Sequence, residues 1–348
     1  MEVRKYMRVE TICLNKERDV TLSAWISEVG GEFAPMEKRP AILVLPGGGY
    51  VMCSDREADP VAAAYLGAGF QIFILRYSVG EHRTWPNPLD DYEQAMEMIR
   101  ENGEKWHVDT ARVAVVGFSA GGHLAACAAT VARNRPNAAI LGYAALKKEI
   151  CDVCQPGMPY PVDCVDGKTP ACFLFAARND MVVDICNTLD FEKALAQKGI
   201  SFESHIYSFG GHGFSTGERW LNPALLSSRT RDWVKDSIEW LGELWGVFGP
   251  KGHTAPVLER VVNADYAPKL SAGCTIAHLK KQSDRVQELL ADSYQVIDIF
   301  LAEKFDNSDA ARCVIEGYRL SDALLTLQVS ADKVQEIDAS LKKFSNIV

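Results

Sequence analysis

Val113-Ala114-Val115-Val116-Gly117-Phe118-Ser119-Ala120-Gly121-Gly122-His123-Leu124-Ala125 is the stretch on which the fold turns. The apolar run 113–116 suits a strand buried on both faces. A turn of small residues around one serine follows, and then an alanine-rich run, 124–132, that reads as a helix. Such a turn lifts the serine out of the sheet, so its neighbours must be small to clear both strand and helix. The serine oxygen then lies over a helix N-terminus, whose N–H groups favour developing negative charge. Ser119 is therefore the candidate nucleophile.

Working outward, short continuous apolar runs recur at 41–45, 70–75 and 171–175, each the length of a buried strand. Helical patterns separate them. Asp59-Pro60 opens one as an N-cap followed by proline, ending near Gly67. Residues 88–106 carry apolar positions at helical spacing, and 185–197 reads as a further helix. Strands alternating with helices predict an α/β fold with a mostly parallel sheet covered on both faces. Ahead of it, 8–14 and 20–26 alternate with period two and read as strands. From Gly246 the texture changes. Residues 1–250 read as the catalytic domain, 251–269 as a Gly/Pro-rich linker, and 270–348 as an all-helical extension without strands. Helices are expected around 309–327 and 331–345, and no internal repeat is evident.

Pro46-Gly47-Gly48-Gly49-Tyr50 directly follows the run 41–45. Glycines there let backbone N–H groups approach a reacting carbonyl oxygen with no side chain in the way. The donors of an oxyanion hole would be the amides of Gly48 or Gly49 and of Ala120, the residue after the nucleophile. Tyr50, beside the glycines, is expected to bind substrate. A serine raised on such a turn has its acid and base after it, in the order Ser, Asp/Glu, His. Asp180 stands at the carboxyl end of the run 171–176, where ligand crevices form, and is preferred to Asp184, which reads as the cap of the next helix. His212 lies between glycines in Gly210-Gly211-His212-Gly213, after a strand read at 200–207, and is the candidate base. His205 in that strand and His123 in the helix behind the turn read as packing residues.

As a set, Pro46-Gly47-Gly48-Gly49-Tyr50, Trp85-Pro86-Asn87-Pro88-Leu89-Asp90-Asp91 and 108–125 resemble bacterial esterases related to acetyl-xylan esterase and the hormone-sensitive-lipase group, the BD-FAE type. The resemblance covers roughly 7–245. It implies the α/β-hydrolase fold, a small-acyl carboxylesterase often acting on acetylated sugars or xylan-derived fragments, a Ser119–His212–Asp180 triad and no cofactor. Pro46 stands where the related group often carries histidine, which removes a side chain but no backbone donor. Ala177-Arg178-Asn179-Asp180 replaces a segment of small residues and glycine, so Arg178 is expected to shape the site. The segment 147–169 leaves little room for a large lid and favours small esters. Rival readings on the same fold are a peptidase, a formamidase and a non-catalytic binding module.

The 348 residues include 47 % hydrophobic and 24 % charged positions, an ordinary globular balance. A net charge of -9 argues against nucleic acid and against anionic membranes. Met1-Glu2-Val3-Arg4-Lys5-Tyr6 lacks an apolar export signal, so a cytoplasmic location and reduced thiols for the ten cysteines are expected. Cys151, Cys154, Cys164 and Cys172 fit no common zinc spacing, and no metal is expected. The expected partner is a small-molecule ester. The C-terminal helices are expected to dock on the hydrolase or to form a homodimer.

Overall fold

The computed structural model describes residues 7–31, 36–221, 227–249 and 252–347. The readings of Met1–Tyr6 and of the linker's first residue lie outside them. The chain divides into two units, one of Met1–Gln197 with Ser201–Arg260, the other of Lys198–Ile200 with Val261–Val348.

The first unit is built on one sheet. Its strands are β1 (Met7–Asn15), β2 (Val20–Ser27), β3 (Arg39–Leu45), β4 (Gln71–Arg76), β5 (Val108–Phe118), β6 (Ala138–Gly142), β7 (Ala171–Ala177) and β8 (Phe202–Tyr207). They lie in the order β1-β2-β4-β3-β5-β6-β7-β8. β1, β2 and β4 pair antiparallel, and every pairing from β4 through β8 is parallel. Helices α1 (Asp59–Gly67), α2 (Asn87–Glu101), α3 (Ser119–Thr130), α4 (Lys148–Cys154), α5 (Pro161–Cys164), α6 (Cys186–Gln197) and α7 (Asp232–Trp245) connect or follow the strands.

The strands are near-continuous apolar runs because both faces are buried. Ile42, Val44, Ile72, Ile74, Val116, Phe173 and Phe175 share one core with Val61 and Tyr65 of α1 and Trp233, Trp240 and Leu241 of α7. Side chains alternate across a strand, so Leu43, Phe73, Val115 and Leu174 point the other way, and they too are buried. The fold is the α/β class read from the sequence, with three differences. β6 was not anticipated. α2 ends at Glu101 rather than near 106. Asp59 is the first residue of α1 rather than its cap and makes no side-chain capping bond.

A short β9 (Phe248–Gly249) and β10 (Gly252–His253) form a hairpin at the end of this unit. The second unit carries α8 (Ile276–Leu279), α9 (Asp284–Phe305), α10 (Asp309–Glu316), α11 (Leu320–Thr326) and α12 (Ala331–Leu341) around Leu270, Ile276, Leu290, Ile297, Leu320, Leu324 and Leu341. The helix expected across 309–327 is broken at Gly317. There Arg319 pairs with Thr275 in an antiparallel bridge, with Ile276 N–H donating to Tyr318 O and Leu320 N–H to Cys274 O. About this bridge the chain repeats a pattern, contrary to the expectation of no internal repeat. Ile276 and Leu320 each open a short helix, and Ser283 and Ser330 each precede a longer one carrying Val-Gln-Glu, at 286–288 and 334–336. Val286 and Val334 are both buried in the core of this unit. Among the described residues no helix is long and apolar enough to cross a membrane.

Candidate active site

Parallel register brings the carboxyl ends of β3, β5, β6, β7 and β8 to one edge of the sheet. Leu45 lies opposite Gly117, Phe118 opposite Gly142, and Ala177 opposite Tyr207. The loops that leave this edge carry Gly47–Gly49, Ser119, Asp180 and His212, residues far apart in sequence.

Ser119 has φ 52°, a left-handed conformation rare outside glycine. The turn is held by close packing. A Cβ on Gly121 would lie 2.1 Å from Leu45 O and 2.3 Å from Pro46 O, and one on Gly122 would lie 2.6 Å from the Ala144 Cβ. Small residues are therefore required on the helix side of the serine, as the motif reading held.

His212 Nε2 lies 2.9 Å from Ser119 Oγ, and His212 Nδ1 lies 2.7 Å from Asp180 Oδ2. The Asp180 side chain is 1 % exposed and that of His212 18 %. With a proton on Nδ1 facing the carboxylate, Nε2 is the acceptor facing the serine hydroxyl. Asp180 Oδ1 accepts from the amides of Val182 (2.8 Å) and Val183 (2.9 Å), which fixes the carboxylate in its own loop. Asp184 instead accepts from the N–H of Cys186, the first residue of α6, and lies two residues ahead of that helix.

The glycine loop folds back beside the serine. Gly48 has φ 126° and a Cβ there would lie 2.2 Å from Met52 O, so only glycine fits. A Cβ on Gly47 would come within 3.1 Å of the Ser119 Cβ, which measures how closely this backbone approaches the nucleophile. Ala120 follows Ser119 in the first turn of α3.

The expectation for Tyr50 is corrected. Its ring is fully buried and its hydroxyl is bonded to His123 Nδ1 at 2.8 Å, so the side chain is packed away from substrate. His123 is buried as well, and its Nε2 lies 2.9 Å from Pro159 O. Burial pushes the His123 imidazole down to about 4, so it is neutral at neutral pH. His205 stacks on Phe173 and pairs with Glu203, within the strand region as read. Arg178 is exposed, and its backbone N–H donates to Tyr207 O.

Sequence reasoning missed four residues that hold the site. Asn179 Oδ1 accepts from the amides of Gly210 (2.9 Å) and Gly211 (3.0 Å), tying the histidine loop to the aspartate loop. Its place beside Asp180 was the available signal. Glu57, Tyr143 and Ser215 are buried together behind His212, whose ring meets the Tyr143 ring edge-on with centroids 5.0 Å apart. Nothing local marks these three, because their partners lie 10 to 159 residues away.

Residues 34–151 match the BD-FAE family model. The chain is 30 % identical over 208 residues to endo-1,4-beta-xylanase B of Butyrivibrio fibrisolvens, covering 51 % of this chain and 33 % of that protein. It is 27 % identical over 217 residues to an acetylxylan esterase of Xylanibacter ruminicola, covering 56 % and 45 %. The chain thus spans a third to a half of the length of these curated relatives. Among solved structures, MGS-M1, an alpha/beta hydrolase enzyme from a Medee basin deep-sea metagenome library, superposes with a TM-score of 0.63 at 38 % identity, covering 68 % of this chain and 97 % of that one. On that identity over nearly all of a solved relative, and on a sheet and serine turn of the same design, the chain belongs to the α/β-hydrolase family.

Proposed function

We propose that this chain is a serine esterase that removes short acyl groups, acetyl foremost, from small esters such as acetylated sugars or xylo-oligosaccharides. The observation that carries the reading is the continuous pair of hydrogen bonds from Ser119 through His212 to Asp180. His212 Nε2 takes the Ser119 proton as Oγ attacks the ester carbonyl, and returns it to the departing alcohol. Water then attacks the acyl-serine by the same proton path and releases the acid. Asp180 holds the imidazole tautomer and stabilises its cation. The oxyanion is received by the amides of Ala120 and of Gly48 or Gly49, each such donor contributing about 3 kcal/mol in comparable sites.

Preference for a short acyl group draws support from two sides. The chain between β6 and β7 holds only the short helices α4 and α5, too little for a large lid. The acetylxylan esterase relative points to acetyl esters. The test is a chain-length series of p-nitrophenyl esters alongside acetate release from acetylated xylo-oligosaccharides. The reading expects kcat/KM to fall from acetate to longer acyl chains and acetate to be released from the sugar. Faster turnover of long-chain esters would defeat it.

A further inference from the structure

Glu57 takes no part in the steps above, yet it is 4 % exposed and joins loops that carry the site. Its Oε2 accepts from Gly47 N–H at 2.9 Å, at the head of the glycine loop. Its Oε1 accepts from the Tyr143 hydroxyl at 2.6 Å. Tyr143 in turn accepts from Ser215 N–H at 3.0 Å, three residues beyond His212. Ser215 is locked from two further sides, its carbonyl accepting from Trp233 Nε1 and its hydroxyl donating to Arg56 O, the residue before Glu57.

Gly47 N–H and Ser215 N–H can only donate. With the Ser215 amide on one lone pair of the Tyr143 hydroxyl and that hydroxyl's proton turned to Glu57, both carboxyl oxygens serve as acceptors. Burial raises the carboxyl above its ordinary value, and the Tyr143 hydroxyl, the Gly47 amide, His212 and Arg56 offset that only in part.

We infer that Glu57 is a positioning residue of the site: its buried carboxyl group presses the glycine loop against Ser119 through Gly47 and, through Tyr143, ties that loop to Ser215 beyond His212. This rests on the esterase reading for its kinetic part. The geometry leaves no room for a side chain at Gly47, since a Cβ there would meet Glu57 Oε2 at 2.6 Å on one side and the Ser119 Cβ at 3.1 Å on the other. His212 also meets Asp180 and Ser119, and the Arg56 guanidinium reaches to 4.0 Å from where a Gly213 side chain would begin.

The experiment compares Glu57→Gln and Glu57→Asp with the parent protein by two readouts. One is the pair of separate kcat and KM values on p-nitrophenyl acetate, and the other is the melting temperature. Glu57→Gln keeps the shape but cannot accept from both donors with separate oxygens. It should lower kcat about ten- to a hundredfold with KM little changed. Glu57→Asp keeps both acceptors on a shorter stem, so kcat should fall about tenfold. A kcat within about twofold of the parent in a folded Glu57→Gln overturns the inference. Should Glu57→Gln fail to fold, Glu57→Asp decides: parental kcat overturns the inference and the stated loss supports it. A parent protein without Ser119-dependent turnover would defeat the esterase reading, whereas Ser119-dependent turnover that Glu57→Gln leaves unchanged defeats this inference alone.

Discussion

Asp180 and Asn179 are neighbours with different tasks. The first offers its carboxylate to the His212 ring, and the second offers its amide oxygen to the backbone of the His212 loop. Asn179→Ala leaves the Gly210 and Gly211 amides without that acceptor and frees the loop to drift. Since an ångström of misplacement costs much in a reacting geometry, kcat should fall about tenfold with KM little changed. Steady-state kinetics on p-nitrophenyl acetate checks this. His123 shows a third kind of role, stability linked to pH. Its folded value of about 4 lies below the 6.5 of an unfolded histidine, so the unfolded chain binds more protons between those limits. Its contribution is present above pH 6.5 and is lost as pH falls towards 4. Urea denaturation should show about 2 kcal/mol less stability at pH 5 than at pH 7 from this group, and His123→Gln should flatten that slope. An unchanged slope in the variant would refute the assignment.

At the scale of elements, the serine turn depends on contacts that glycine alone permits. Gly121→Ala would force a methyl into the Leu45 and Pro46 carbonyls, displacing the glycine loop from its place beside Ser119. Activity should fall by more than about tenfold, with a lower melting temperature. Gly67→Ala, at the end of α1 with nothing within 4 Å of the added carbon, should be neutral or stabilising by up to about 1 kcal/mol. Thermal melts and kinetics on the two variants make the comparison. The same contrast explains what could be read in advance. The runs at 41–45, 70–75 and 171–175 announced β3, β4 and β7 because burial on both faces demands unbroken apolar residues. β6 escaped because it is short and bounded by small residues, Ala138-Ala139 and Gly142, the last needed because a Cβ there would lie 2.4 Å from the Phe175 ring. The break between α10 and α11 escaped because helical spacing runs on across Gly317, while the bridge from Arg319 to Thr275 is a pairing at long range. Ser119, Asp180 and His212, which the fold joins by hydrogen bonds, were legible because the proposed chemistry calls for these residue types in this order. Glu57, Tyr143 and Ser215 were not, because they meet only in the folded chain.

For the molecule as a whole, every residue assigned to the proposed chemistry, and the Glu57–Tyr143–Ser215 cluster behind it, belongs to the first unit. The second unit has its own apolar core about Leu290, Ile297, Leu320 and Leu324. A chain ending at Arg260 should therefore fold and keep kcat within about threefold of the full chain on p-nitrophenyl acetate. Loss of activity from a well-folded truncated chain would assign the helical unit a part in the reaction.

The most direct test of the central claim is the turnover of p-nitrophenyl acetate by the full chain beside its Ser119→Ala variant. The account predicts multiple turnovers by the parent protein and a loss of about a thousandfold or more in kcat on removing the hydroxyl. Equal, slow rates from the two proteins would contradict it, since the hydrogen bonds between Ser119, His212 and Asp180 would then have no chemical consequence for an ester.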